Sequence, residues 1–151
     1  MDAVFAITFE VPGQPVPQPR ARVNRNGHRY TPDNGIVAYK QAILLRSRLA
    51  AKQIRLEQLT GPVAVDIEFV IARPESHWGK RGLVKSAKPY PSRRSGDWDN
   101  LAKGVCDALT DAGIWADDDQ IVRAVVGRRY AGRDEPASTT VTIRSLSDAA
   151  P

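Results

Sequence analysis

The sequence contains one cysteine, two histidines and no long apolar run, and each scarcity argues against a class of protein. A single cysteine, Cys106, excludes an intrachain disulfide framework and a multi-cysteine zinc site within one chain. With only His28 and His77 present, a histidine-based metal site is not expected. No segment is apolar enough to span a membrane, and no charged start followed by an apolar run marks a secretory signal. We therefore expect a protein of the reducing cytoplasm that contacts no membrane.

The chain is basic overall but acidic in one place. It has 151 residues, a net charge of +5, 42% hydrophobic and 26% charged residues, which is ordinary for one globular domain spanning residues 1–151. Positive charge attracts nucleic-acid phosphates, although it also serves solubility. Carboxylates clustered in a basic protein indicate a bound hard cation such as Mg²⁺. The clustered aspartates are Asp97, Asp99, Asp107, Asp111, Asp117, Asp118 and Asp119.

The acidic segment 95–130 predicts a carboxylate pair, a helix, a turn, a carboxylate run and a strand, in that order. Asp97 and Asp99 are two residues apart, so in an extended segment their side chains would point to one side. Asp99 or Asn100 is the expected N-cap of the following helix. On spacing alone, a metal site has about even odds against the alternatives, namely a helix cap, a salt-bridge ladder through Lys103 or a polar turn.

The run DWDNLAKGVCDAL, followed by AGIWADDDQI, resembles the signature of the RusA family of Holliday junction resolvases, D-x-D-N-L-x-K…D-A-L…D-D-x-Q. The resemblance implies that Asp97, Asp99 and Asp118 bind Mg²⁺, with Mn²⁺ as a substitute. It also implies that Lys103 assists phosphodiester hydrolysis. Asp118 is assigned because two adjacent aspartates precede x-Q in the family, which leaves Asp119 at the variable position. Without the resemblance, spacing does not choose Asp118 over its neighbours.

Two basic segments accompany the acidic one. The arm, residues 14–32, is rich in proline and arginine, which predicts extended backbone with a small hairpin at Asn26-Gly27. It resembles the basic leading segment of phage and prophage members of the family, and a solvated loop is the alternative. The loop at 73–96 mixes cations with aromatics, which suits phosphate contact and base stacking, or pinning of the loop to the body. The expected DNA contacts are Arg20, Arg22, Lys80, Arg81, Arg93 and Arg94.

Hydrophobic periodicity predicts an α/β fold for the whole chain. The order strand, helix, strand, helix, strand, strand indicates a single RusA-like domain with a small mixed β-sheet and helices packed on it. Cys106 is expected to be a small buried residue of the second helix. Strands are predicted at 4–11, 63–72, 120–130 and 138–146, helices at 35–58 and 99–112, and a frayed tail at 147–151. The predicted core stripe of the first helix is Ile36, Tyr39, Ala42, Ile43, Leu49 and Ala50.

The function that the resemblance implies is Mg²⁺-dependent, structure-selective endodeoxyribonuclease activity in DNA recombination and repair. Such an enzyme resolves Holliday junctions by paired symmetric phosphodiester hydrolysis. A homodimer would match the approximate twofold symmetry of a junction, and no nucleotide cofactor is needed. Three alternatives remain: a nuclease for other branched or single-stranded DNA, a catalytically silent junction-binding protein, and a phosphohydrolase for other substrates. The basic arm and loop disfavour the last.

Overall fold

A computed structural model describes residues 3–146, and it confirms the α/β class and the predicted order of the main elements. The predicted frayed tail at 147–151 lies outside the described residues. No helix in the described range is long and apolar enough to cross a membrane. The elements are β1 (Ala3–Pro12), β2 (Arg22–Val23), β3 (Arg29–Tyr30), α1 (Ile36–Gln53), β4 (Val63–Ile71), β5 (Trp78–Gly79), β6 (Gly82–Leu83), α2 (Trp98–Asp111), β7 (Ile121–Tyr130) and β8 (Ser138–Leu146).

Four of the strands form one mixed sheet in the order β1-β8-β4-β7. Strand β8 runs antiparallel to both β1 and β4, whereas β7 runs parallel to β4. Parallel neighbours require a crossover connection, and here the crossover contains the basic loop and helix α2. The mixed sheet that the sequence predicts is confirmed. The crossover also places α2 beside α1 on one face of the sheet.

The core lies between that face of the sheet and the two helices. The odd-numbered residues of β4, from Val63 to Ile71, are buried under the helices. On the other face of the strand Asp66 and Glu68 are half-buried, while Ala64 and Val70 are buried too. Helix α1 packs against α2 and β1, and α2 presents its apolar face to the same core. The buried residues of these three elements include Val63, Val65, Ile67, Phe69, Ile71, Ile36, Tyr39, Ile43, Leu101, Val105, Ala108 and Leu109.

Helix α1 departs from the prediction at its end and on its buried face. The predicted helix 35–58 was too long, because α1 ends at Gln53 and the chain then turns through Arg55, whose φ is 54°. The assignment of Leu49 to the core was wrong, because this side chain is 59% exposed. Ser47 and Ala51 are buried instead, since positions four apart continue one helix face. The Ser47 hydroxyl donates to the Leu44 carbonyl, which satisfies its polar group.

The opposite face of the sheet carries paired charges. The Arg144 guanidinium lies 2.6 Å from the Asp66 carboxylate, and that of Arg129 lies 3.1 Å from the Glu68 carboxylate. Both acids point away from the helices, because they alternate along β4 with Val65, Ile67 and Phe69 of the core. They therefore do not join the aspartates of α2.

Candidate active site

Helix α2 begins directly after Asp97, so its N-cap lies two residues before Asp99 and three before Asn100, the two caps that the sequence suggested. Asp97 is the N-cap residue with extended backbone, and its carbonyl accepts from the Leu101 amide at 3.0 Å. Asp99 already lies in the first helical turn, so the expectation of an extended Asp97–Asp99 pair was wrong. Within the described range the Asp97 carboxylate makes no capping hydrogen bond. It therefore remains available to a ligand.

A first pocket opens at this helix start and combines Asp97 with three arginines. Guanidinium groups bind phosphate oxygens in a fixed fork geometry, so the positive side of this pocket suits a DNA backbone. All three arginines are exposed, which leaves them accessible to a large substrate. We call it the arginine pocket, and it is lined by Pro17, Gln18, Arg20, Arg93, Arg94, Gly96, Asp97 and Asn100.

The first part of the basic arm is fixed against α2. The Gln18 amide donates to the Asn100 carbonyl at 3.3 Å, and the Asn34 side chain donates to the Pro17 carbonyl at 3.1 Å. Gly96 has a φ of 96°, and a Cβ there would lie 2.6 Å from the Cβ of Pro17. Only glycine accommodates both this conformation and this approach. The beginning of the arm is thus part of the site and not a solvated loop.

A second pocket lies further along α2 and is mostly acidic. Two lysines neutralise Asp107: the Lys40 ammonium lies 3.6 Å from its carboxylate, and the Lys103 ammonium 3.8 Å. The Lys103 side chain is 63% exposed, and exposed pairs contribute little to stability, so it can turn to a phosphate at small cost. We call this the aspartate pocket, and it is lined by Lys40, Asp107, Thr110, Asp111, Asp117 and Asp118.

Gln120 holds the turn that carries the aspartate run. Its side-chain oxygen accepts from the amides of Ala116 at 2.8 Å and Asp117 at 3.2 Å. Its side-chain nitrogen donates to the carbonyls of Leu59 at 2.9 Å and Gly61 at 3.0 Å. One side chain therefore fastens the turn after α2 to the connection between α1 and β4.

The aspartates of this run have different roles. Asp117 caps the turn, because its Oδ1 accepts from the Asp119 amide at 3.0 Å, and this hydrogen bond lowers the pKa of Asp117. The pKa of Asp118 is raised, first by its hydrogen bond with Asp117 and then by partial desolvation and the charges of Asp117 and Asp107. A carboxylate among like charges is stabilised by a cation. Because the capping hydrogen bond occupies Oδ1 of Asp117, the geometry leaves Asp118 the freer carboxylate for a ligand.

The two pockets approach each other over Gly104 of α2. A Cβ at this glycine would lie 3.9 Å from Oε1 of Gln18 and 4.0 Å from Cε of Lys40, so one residue from each pocket borders the same point. Within residues 3–146, Oε1 of Gln18 is buried and has no hydrogen-bond partner. A buried acceptor of this kind is usually satisfied, which makes Gln18 a candidate to accept from a group in the site.

The predicted metal ligands fit a divalent cation by chemistry but are not gathered around one point. Carboxylate oxygens are the donors that Mg²⁺ and Mn²⁺ prefer. Among residues 3–146, however, no three His, Cys, Asp or Glu side chains lie close enough together to hold a metal ion. Asp97 lines the arginine pocket and Asp118 the aspartate pocket, while Asp99 lines neither of the two. Their assignment as a common ligand set stays a prediction.

The structure brings together half of the predicted DNA contacts. Arg20, Arg93 and Arg94 meet in the arginine pocket, whereas the other three do not line either pocket in the described part of the chain. Those three are exposed on hairpins: Arg22 lies on β2, and Lys80 and Arg81 form the turn between β5 and β6.

The basic loop is pinned by some of its aromatics. The Arg73 guanidinium lies 4.5 Å from the ring centroid of Tyr130 and 6.0 Å from that of Trp78. His77 meets Tyr130 edge to face at 5.6 Å. The Arg133 guanidinium, outside the loop, lies 5.6 Å from the Trp78 ring centroid. Trp78 and His77 therefore hold the loop to the body of the protein, whereas Tyr90 of the same loop is 66% exposed.

Four residues lie at or beside the site although the sequence did not predict a role for them there. Lys40 and Gln18 reach the site only through tertiary packing, and no local pattern indicates this. The motif contains Gln120, but its spacing does not reveal the hydrogen bonds to the α1–β4 connection. Trp98 occupies a variable motif position, and its 60% exposure is visible only in the structure.

The mixed sheet, the arginine pocket and the carboxylates on α2 together suit a class of small α/β proteins that act on phosphodiesters. Residues 12–144 match the family model described as Endodeoxyribonuclease RusA, so this chain belongs to that family. The resemblance seen in the sequence motif is confirmed.

Curated proteins named "Crossover junction endodeoxyribonuclease RusA" are also similar to this chain. They include those of Escherichia coli strain K12, Escherichia coli O1:K1 / APEC and Shigella sonnei strain Ss046. Each is 59% identical over 32 residues, which is 21% of this chain and 27% of the relative. The matched stretch therefore spans about a quarter of each relative's length.

Proposed function

We propose that this protein is a divalent-cation-dependent endodeoxyribonuclease that resolves four-way DNA junctions. The observation that carries the proposal is the arrangement around α2, where Asp97 lines a pocket with three arginines and Asp118 lines a pocket with Lys40 and Asp107, in a chain of the RusA family. Positive groups attract the DNA backbone, while the carboxylates supply oxygen ligands for a cation.

We assign Asp97, Asp99 and Asp118 to a site for Mg²⁺, which Mn²⁺ can also occupy. When bound, the ion supplies polarisation of the phosphoryl oxygen and acidifies a water ligand. Arg93 and Arg94 hold the phosphate, and Lys103 stabilises the charge that develops on it. Because the two pockets are separate, occupation of the site requires Asp118 to approach Asp97.

The proposed substrate and assembly follow from symmetry. A four-way junction has two equivalent strands to cut, so a homodimer with a twofold axis would present one site to each. We place this activity in the cytoplasm of a bacterial or phage-infected cell, and it needs no nucleotide cofactor. Paired nicks at symmetric positions are the product that such a dimer would make.

The test is cleavage of an immobile four-way junction with Mg²⁺, beside duplex, flap and single-stranded controls. Asp97→Asn and Asp118→Asn are each expected to lower the cleavage rate by roughly 10²–10³-fold or more, because each removes a charged ligand. Junction binding in EDTA should persist, since less negative charge then faces the phosphates. Asp66→Asn is the matched control, because Asp66 pairs with Arg144 on the other sheet face. It should cleave normally.

The alternatives give different products. Cleavage of every branched substrate would indicate a general branch nuclease, and tight binding without cleavage would indicate a junction-binding protein. A normal rate for Asp97→Asn would overturn the ligand assignment. Calorimetric titration with Mg²⁺ in the absence of DNA provides a second readout, in which Asp97→Asn and Asp118→Asn should bind the ion more weakly than Asp66→Asn does.

A further inference from the structure

Among residues 3–146, the Trp98 ring makes neither the hydrogen bond nor the cation–π contact that the other two tryptophans make. Trp115 is fully buried and donates to the Thr110 hydroxyl, and Trp78 pairs with Arg73. Trp98 is 60% exposed at the first position of α2, between Asp97 and Asp99. A large flat apolar side chain exposed beside a polar pocket is a typical feature of a surface that binds a ring.

The backbone that presents Trp98 is firmly held. Leu101, one turn ahead, is fully buried in the core. On the other side, Gly96 is packed tightly against Pro17 of the arm. Both neighbours therefore fix the start of α2, and Trp98 extends from a rigid support. Such a support lowers the entropy that is lost when a ligand stacks on the ring.

We propose that Trp98 stacks on a base that has lost its stacking partner at a branch point, and thereby favours branched over continuous DNA. The inference rests on the proposed function and deepens it. The arginine pocket, whose lining includes the adjacent Asp97, would hold a phosphate of the same nucleotide or its neighbour. In a continuous duplex both faces of each internal base are covered, so the indole gains nothing there. Stacking on an aromatic tolerates any base, which suits selection by DNA structure.

Binding in EDTA separates this role from cleavage. Trp98→Ala is expected to weaken junction binding about 5- to 100-fold, the effect of losing one base–aromatic stack, and to leave duplex binding unchanged. Trp98→Phe, which keeps a flat ring, should retain most of the affinity. Leu45→Ala is the control, because Leu45 is an apolar side chain of similar exposure (61%) on α1 that lines neither pocket, and it should bind junction and duplex as the wild type does. Equal losses on junction and duplex, or no loss, would overturn the proposal.

Crosslinking locates the contact directly. A junction with 5-iodouracil at the branch point should crosslink to the peptide that contains Trp98, whereas the same base placed within an arm should not. A branch-point crosslink at Tyr90 or elsewhere would contradict the proposal. Because Trp98 is exposed, its variants should keep the wild-type circular dichroism spectrum and melting temperature, which excludes misfolding as the cause of a loss.

The two proposals fail in different ways. If the wild-type protein does not prefer junctions to duplex, the proposed function fails. Crosslinking to a single strand that contains 5-iodouracil then decides whether Trp98 stacks on unpaired bases. If the wild-type protein selects junctions and Trp98→Ala does so equally well, the proposed function survives and the role of Trp98 is wrong.

Discussion

Asp97 precedes helix α2 and Asp117 precedes the short helical turn at Asp118–Gln120, but their carboxylates make different contacts. Asp117 and Asp97 are both N-cap residues, but only Asp117 accepts a capping hydrogen bond among the described residues. The Asp97 side chain instead faces a pocket with arginines. Residue type alone would assign both to caps. The contact each carboxylate makes, rather than its place before a helix, therefore distinguishes a structural aspartate from a candidate ligand.

The pKa of the half-buried Cys106 thiol is sensitive to the charges of the aspartate pocket beside it. Burial raises its pKa to about 11, and the charges of Asp118 and Asp107 act in the same direction. The thiolate is the reactive form, so a raised pKa reduces reactivity at pH 8. The native thiol should react with Ellman's reagent more slowly than the thiol of the denatured chain, and faster as the pH rises toward 11. Because the chain has one cysteine, the absorbance change reports this thiol alone. Equal native and denatured rates would contradict the structure.

Whole elements were easier to predict than their ends. The start of β4 was predicted to the residue and its end to within one residue, because large apolar side chains recur at every second position from Val63 to Ile71. The end of α1 was missed because Ile54 and Leu56 continue an apolar pattern after the backbone has left the helix. The motif supplied the candidate site residues. Their division between two pockets could not be predicted, because it depends on how the arm and α1 pack against α2.

The turn after α2 depends on Gln120, which links it to the α1–β4 connection by four hydrogen bonds. Gln120→Leu should lower the free energy of unfolding by about 1–2 kcal/mol, because the partly buried carbonyls of Leu59 and Gly61 lose their donor. Asp118 would also be less well positioned, so junction cleavage should fall more than junction binding. Urea unfolding and the two assays measure these effects.

Gln41→Leu is the control for this prediction, since Gln41 is an exposed residue of α1. It should change stability by less than about 0.5 kcal/mol, as is usual at exposed positions. If Gln120→Leu were as stable as Gln41→Leu, the turn would be held by other contacts.

At the scale of the molecule, positive and negative charge are segregated along one helix. The net charge of +5 arises from 22 basic and 17 acidic residues, but the arginine pocket and the aspartate pocket lie side by side on α2. Long-range attraction brings the DNA to this surface. The aspartates repel it locally until a cation neutralises them. We therefore expect binding to depend on salt through the arginines and on divalent ions through the aspartates.

The salt dependence of the DNA-binding constant measures how many phosphates the protein neutralises. The slope of log K against log salt changes by about 0.9 for each phosphate neutralised on duplex DNA. Arg93→Gln and Arg94→Gln should each reduce the magnitude of the slope by up to about that amount, measured by fluorescence anisotropy on a labelled junction in EDTA. Lys52→Gln is the control, because it removes one positive charge from the exposed end of α1, outside the arginine pocket. It lowers the net charge equally but should leave the slope unchanged. An equal effect of all three variants would mean that overall charge, and not the arginine pocket, binds the phosphates.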